Sequence, residues 1–226
     1  MEVILSHVFT TLFCASGGPE VPLFKRFQKQ WPYINQTEYS PAKDDLFGDM
    51  EILRKEMVSF YSGAVGHQQP REDYLELLRL CPIFLGGGSE GMDIQFRAPG
   101  VMHHACWMAR AIYALKIVLF QDQLTLTVRE KRGLTDFTLF VALVYGRFWY
   151  EAPLASNAPW NDAQMLHVLQ TYPNRLVADA AFTSFSRHLW FFSEQLVGLT
   201  FFDSRVKPEV KRIWSPTSSF QKVCQL

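Results

Sequence analysis

Neither sign of charge is in excess in this chain of 226 residues, where 22 Lys and Arg stand against 22 Asp and Glu. A freestanding nucleic-acid binder is usually basic, so bulk charge gives that class no support. Charged residues are scarce at 19% while aromatics reach 15%, the reverse of the composition that keeps a chain disordered. Cysteine is sparse too. Cys14, Cys81, Cys106 and Cys224 lie far apart and form no C-x-x-C pair, which is too few for the framework of a small secreted scaffold. Cys81 and Cys106 fall inside apolar helical patterns, where a thiol behaves as a small hydrophobe. All four are expected to be free thiols in a reducing intracellular compartment, nuclear or cytoplasmic. A membrane span is not expected either. The longest apolar stretch, residues 101–120, is long enough to cross a bilayer but carries His103, His104, Arg110 and Lys116. Each mid-helix cation costs about 2.5–3.5 kcal/mol on insertion scales. At the N-terminus Glu2 stands where a signal peptide needs a positive region and His7 interrupts the apolar run, so an amphipathic first helix is the better reading.

What is present is helical periodicity. Val3, Ile4, Val8, Thr11 and Leu12 make one apolar stripe, closed by Gly17-Gly18-Pro19. Pro22 opens a second, with Leu23, Phe24, Phe27 and Trp31, ending before Pro32. After a polar linker at 35–43, Asp44-Asp45 reads as a cap for a helix through Leu46, Phe47, Met50, Leu53, Met57 and Phe60. Pro70 opens the next, with Tyr74, Leu77, Leu78 and Cys81 buried, stopped by Pro82 and the glycines at 86–88. A loop at 89–100 precedes the long apolar helix of 101–120. Thr127-x-x-Glu130 is a capping-box signature for a helix read through Phe140, Val144 and Phe148 to Pro153. Asn161 reads as the cap of a short helix to Tyr172, and a last pattern runs from about Arg175 to Phe202. The strand candidates, 124–128 and 82–85, are too short to build a sheet. The expected fold is all-α: about eight or nine helices in an irregular single domain over residues 1–214, around two long apolar central helices, 101–120 and 176–202. A sub-boundary is placed in the loop 86–100 and a flexible tail at 215–226.

Few constellations carry chemistry. His103 and Cys106 stand at i and i+3 on a helix and could share a metal, but zinc needs four ligands, or three and water, so packing inside a core helix is favoured. Gly86-Gly87-Gly88 lacks the preceding strand and the Lys-Ser/Thr of a phosphate loop and reads as a helix terminator. Glu194, in HLWFFSEQLVGLTFF, is a lone carboxylate among apolar neighbours. It must be paired, protonated or functional. A salt bridge to Arg110 or Lys116 is its structural reading, a metal-binding or catalytic role its functional one, and simple exposure the third. Trp31, Trp149 and Trp160 are candidate surface contacts, tryptophan being enriched at binding hot spots. The basic tail from Arg205 to Lys222 is another. No cofactor motif is present and none is expected.

Four stretches carry a resemblance: PLFKRFQKQWPYI at 22–34, REDYLELLRLCPIFLGG at 71–87, FRAPGVMHHACWMARAIYALKIVLF at 96–120 and HLWFFSEQLVGLTFFDSRV at 188–206. Together they resemble the C-terminal part of uncharacterised transposon-derived proteins abundant in arthropods and cnidarians. Such proteins are similar in layout to hAT-like transposases, whose RNase H-like core is interrupted by an all-helical insertion, with the last catalytic carboxylate on a helix after it. The resemblance implies that a C-x-x-H segment and both upstream aspartates precede the point where this chain begins. Glu194 is by position the candidate for the terminal carboxylate. Cys106 stands where relatives have arginine, which weakens an anion-binding role there. Two-metal phosphoryl transfer needs several carboxylates. The expectation is therefore a truncated, transposase-derived helical domain, catalytically inactive alone, with DNA or the missing catalytic core as its partner. Its first helix would then expose part of its apolar stripe. The alternative is a helical module that binds protein or nucleic acid. His103, His104, Trp107 and Arg110, with Arg205, Lys207, Lys211 and Arg212, are the candidate contacts.

Overall fold

The computed structural model describes residues 2–13, 22–67, 71–87, 96–100, 107–152 and 158–187. Among them every regular element is helical: α1 (Glu2–Phe13), α2 (Pro22–Gln30), α3 (Glu51–Val65), α4 (Glu72–Phe84), α5 (Trp107–Leu119), α6 (Val128–Phe140), α7 (Gly146–Glu151), α8 (Ala158–Thr171) and α9 (Arg175–Ser186). A π-helical segment, Val141–Tyr145, joins α6 to α7. No described helix is long and apolar enough to cross a membrane. The chain divides into two compact units, Phe9–Arg147 and a second that combines Met1–Val8 with the residues from Phe148 onward.

In the larger unit α4 packs on α3 and α5, α5 packs on α6, and the π segment lies against α3 and α4. α5 is the most enclosed helix, with Met108 and every residue from Ala111 to Leu119 buried. An apolar helix covered on nearly all sides belongs in the interior rather than on a surface. Residues 101–106, the first part of the expected helix, lie outside the described residues. Phe9 at the end of α1 stacks on Phe24 of α2, 5.8 Å between centroids, and meets Phe137 of α6 edge-on at 5.1 Å. Each such buried aromatic is worth about 1.5–3 kcal/mol in removal from water alone. Along α1 the side chains of Ile4, Leu5, Val8 and Phe9 are buried, Thr11 and Leu12 are half-buried and Val3 is 54% exposed, so part of its expected stripe is open.

The helix ends follow from local chemistry. Thr127 Oγ1 accepts from the Glu130 N–H while the Thr127 N–H donates to Glu130 Oε2, the reciprocal capping box expected at the start of α6. α4 runs through Pro82 instead of stopping there, and Gly86 ends it at φ +73°. The Gly87 N–H donates to Pro82 O and the Gly86 N–H to Ile83 O, which is the Schellman pattern with glycine in the left-handed position. Arg54 of α3 covers the same end by donating from Nε to Leu85 O at 2.7 Å. The linker ahead of α3 is also a capping device. The Ser40 N–H donates to Leu119 O and the Ala42 N–H to Phe84 O, so two helix ends find backbone donors there. The helix expected from Asp44 is two 3₁₀ turns, Asp44–Leu46 and Gly48–Met50, before α3; Gly48 at φ +41° breaks the run.

In the second unit α8 and α9 pack together. α8 begins three residues ahead of its expected cap, and Asn161 sits in its first turn, buried, donating from Nδ2 to Glu151 O. Asn174 caps α9, its side chain accepting from the Val177 N–H at 3.2 Å. α9 is amphipathic over its described length, with Val177, Ala178, Ala180, Ala181, Ser184 and Phe185 buried and Leu176 exposed. The remainder of the expected helix, from 188 to 202, lies outside the described residues, as does the tail 215–226.

Candidate functional site

Two polar clusters lie inside the larger unit, and both are built across helices. The first surrounds Lys116, on α5, whose side chain is only 1% exposed. Its Nζ lies 2.5 Å from Glu76 Oε1 on α4 and donates to the Arg97 carbonyl at 2.7 Å. It also sits 5.5 Å from the ring centre of Trp31, on whose face a cation is attracted. Arg97 in turn pairs with Glu72, one helical turn before Glu76. Burial lowers the Lys116 ammonium below its ordinary pKa, and the neighbouring Glu76 carboxylate partly restores it. The arrangement alternates charge from the interior to the surface, with Glu76 15% exposed and Glu72 79% exposed. Glu194, expected to pair with Arg110 or Lys116, lies outside the described residues; the carboxylate found beside Lys116 among them is Glu76.

The second cluster surrounds the π segment. Such a segment releases carbonyls from regular pairing, and the Tyr61 hydroxyl of α3 donates to Ala142 O at 2.9 Å. The Tyr61 ring reaches that carbonyl because residue 146 is glycine: a Cβ there would lie 2.2 Å from the hydroxyl oxygen. The Cys81 thiol of α4 hydrogen-bonds Tyr61, and burial pushes it up to about 12. Burial also raises Tyr61 itself. Both groups are protonated at neutral pH, and Cys81 is an unreactive free thiol.

The expected site residues are distributed unevenly. Trp107 is half-buried and meets Tyr145 edge-on at 5.3 Å. Arg110 is half-buried with its guanidinium 5.4 Å above the Phe9 ring. Both are therefore engaged with the fold. Trp31, expected as a surface contact, is 7% exposed and lies between Phe27 and Phe120, because α2 turns its apolar face onto α5. Trp149 is half-buried beside Tyr150. His103, His104, Cys106, Glu194, Arg205, Lys207, Lys211 and Arg212 lie outside the described residues, as does the side chain of Trp160. Among the described residues no group of three or more His, Cys, Asp or Glu is placed to hold a metal ion.

Sequence reasoning passed over Glu76, Arg97 and Tyr61. Glu76 could have been noticed as the one carboxylate within the apolar run Tyr74-Leu75-Glu76-Leu77-Leu78, the same signal that drew attention to Glu194. In the smaller unit Asp162, in the second turn of α8, is pushed up to about 7 by burial. No family model, curated protein or solved structure matches this chain, so the functional reading rests on its own residues.

Proposed function

We propose that this chain is a non-catalytic, transposase-derived helical module that acts by binding another macromolecule. The observation that supports it is the commitment of the interior polar groups. Lys116 is held by Glu76, the Arg97 carbonyl and Trp31, while Tyr61 and Cys81 serve the π segment. A catalytic lysine or thiol needs a depressed pKa together with access to substrate. Lys116 has the first without the second, and Cys81 has neither. These groups hold helices together. The transposase descent rests on the four resembling stretches, in which Glu194 is the remnant of a terminal carboxylate.

The experiment is a plasmid-nicking assay of the full chain with magnesium or manganese. The expected result is no cleavage above background by either the native chain or Glu194→Ala. Robust metal-dependent cleavage that disappears in Glu194→Ala would overturn the non-catalytic reading. An upstream reading frame that encodes C-x-x-H and acidic core motifs would support the descent.

A further inference from the structure

The balanced net charge conceals a local excess. α2 reads PLFKRFQKQ, with Lys25, Arg26 and Lys29 and no acid. The first turns of α6 read VREKR, with Arg129, Lys131 and Arg132 against Glu130. The two segments are about a hundred residues apart in sequence and adjacent in space, because Arg26 Nη2 lies 2.9 Å from Glu130 Oε1. Glu130 is already committed: besides Arg26 it accepts from the Thr127 N–H at 2.8 Å and the Thr127 hydroxyl at 3.0 Å. Burial alone would raise its pKa, and these bonds together hold it below the ordinary value, so it stays ionised and bound to its own helix start. Lys25, Lys29, Arg129, Lys131 and Arg132 are all exposed around that pair. The other acids close to these segments in sequence are Glu20, two residues before α2, Asp136, one turn beyond Arg132, and Asp122, which accepts from the Ser40 hydroxyl at 2.8 Å.

An exposed aromatic ring follows α2 in the chain. Trp31 is buried, Pro32 stiffens the turn, and Tyr33 is left 88% exposed. The turn is fastened to the segment leading into α6: Gln123 Nε2 donates to Asn35 O at 2.9 Å and Gln123 Oε1 accepts the Asn35 N–H at 2.8 Å. Tyr33 therefore sits four residues beyond Lys29, beside a turn tied to the segment that leads into α6.

We propose, building on the binding-module reading, that this α2/α6 face docks a single nucleic-acid strand, with the cations on its phosphates and Tyr33 stacked on a base. Dispersed cations beside an exposed aromatic are the combination that single strands exploit. An acidic protein would use the cations and have no base to place on the ring. A duplex keeps its base faces stacked internally, out of reach of Tyr33.

The test is fluorescence anisotropy of a labelled oligothymidylate with the full chain, between about 50 and 200 mM salt. The expected binding weakens steeply as salt rises. Lys29→Glu with Arg132→Glu should lower affinity at least about tenfold and flatten the log–log salt slope by about 1.4, or about 0.7 for each single-strand phosphate that is no longer neutralised. Tyr33→Ala should weaken binding about fivefold or more and leave the slope unchanged. All three residues are on the surface, and an unchanged far-UV circular dichroism melt verifies the fold of each variant. The proposal is overturned if the oligomer shows no salt-dependent binding, if the double reversal leaves affinity intact, if duplex binds as well as single strand, or if polyglutamate competes as well as the oligomer. A failure here leaves the nicking result, and with it the non-catalytic reading, untouched.

Discussion

Replacing Glu76 by leucine tests how the interior tolerates Lys116. The ammonium is 1% exposed and would keep only the Arg97 carbonyl and the Trp31 face as partners. Removing one member of a buried ion pair typically costs about 3–5 kcal/mol, because the other charge remains in a poor solvent. Against a total stability of about 5–15 kcal/mol for a domain, that is about a fifth or more. Lys116→Met is expected to be milder, about 1–3 kcal/mol, because Glu76 at 15% exposure can turn toward water. The double variant should then be close to wild type, since methionine and leucine fill the same interior without a charge to solvate. Urea unfolding followed by circular dichroism reads all four corners of the cycle. With a slope of about 2 kcal/mol/M, a loss of 3 kcal/mol moves the midpoint by about 1.5 M.

The pH dependence gives the same experiment an independent readout. The folded Lys116 pKa lies below the ordinary 10.5, so across that interval the unfolded chain holds more protons and stability rises with pH. Glu76→Gln removes the charge that restores the ammonium and extends the interval downward. The variant's deficit relative to wild type should therefore shrink as pH rises from about 7 toward 10.5. Additive single losses, with no coupling energy, combined with a deficit that does not change with pH would refute the ion-pair account.

Gly146→Ala should cost about 1–3 kcal/mol, since its methyl meets the Tyr61 hydroxyl at 2.2 Å, and part of that cost should vanish in a Tyr61→Phe background. Tyr61→Phe alone should cost a similar amount by stranding the Ala142 carbonyl, and denaturant midpoints of the two singles and the double test the expected non-additivity. Thr127→Ala removes one half of the capping box and should lower stability by about 1 kcal/mol in the same assay. Asp162 is lifted from 3.8 to about 7, so the folded chain favours the protonated acid and loses stability as pH rises through that window. Asp162→Asn should flatten that decline, and a melting temperature that tracks wild type from about pH 4 to 8 would refute it.

Features decided within one helical turn were legible. The capping box of α6 is set by two side chains three residues apart, and the start of α9 by Asn174 and the N–H of Val177. Pro82 misled because a proline near a helix end breaks fewer pairings than one at its centre, and Gly86 four residues later is the true terminator. The π segment left no trace, since Val-Ala-Leu-Val-Tyr is apolar on every face and a shift in helical phase changes nothing in the pattern. The Lys116–Glu76 pair was not legible, because Glu76 belongs to a helix that carries Glu72, Asp73 and Glu76 and reads as half-solvated, not to one of the two most apolar stretches.

Charge shows the same limit most clearly. Equal totals of acidic and basic residues describe the sum over the chain, while a partner meets only the residues that share one face. α2 and the start of α6 each read alone as an ordinary solvated helix surface. A single contact, Arg26 to Glu130, places them side by side and at the same time neutralises the one acid between them. A proposed nucleic-acid strand would encounter the residual positive face at short range, where a Debye length of about 8 Å at physiological salt screens the acidic segments elsewhere. Bulk neutrality therefore bears on long-range steering and solubility, and it leaves open what the α2/α6 face binds.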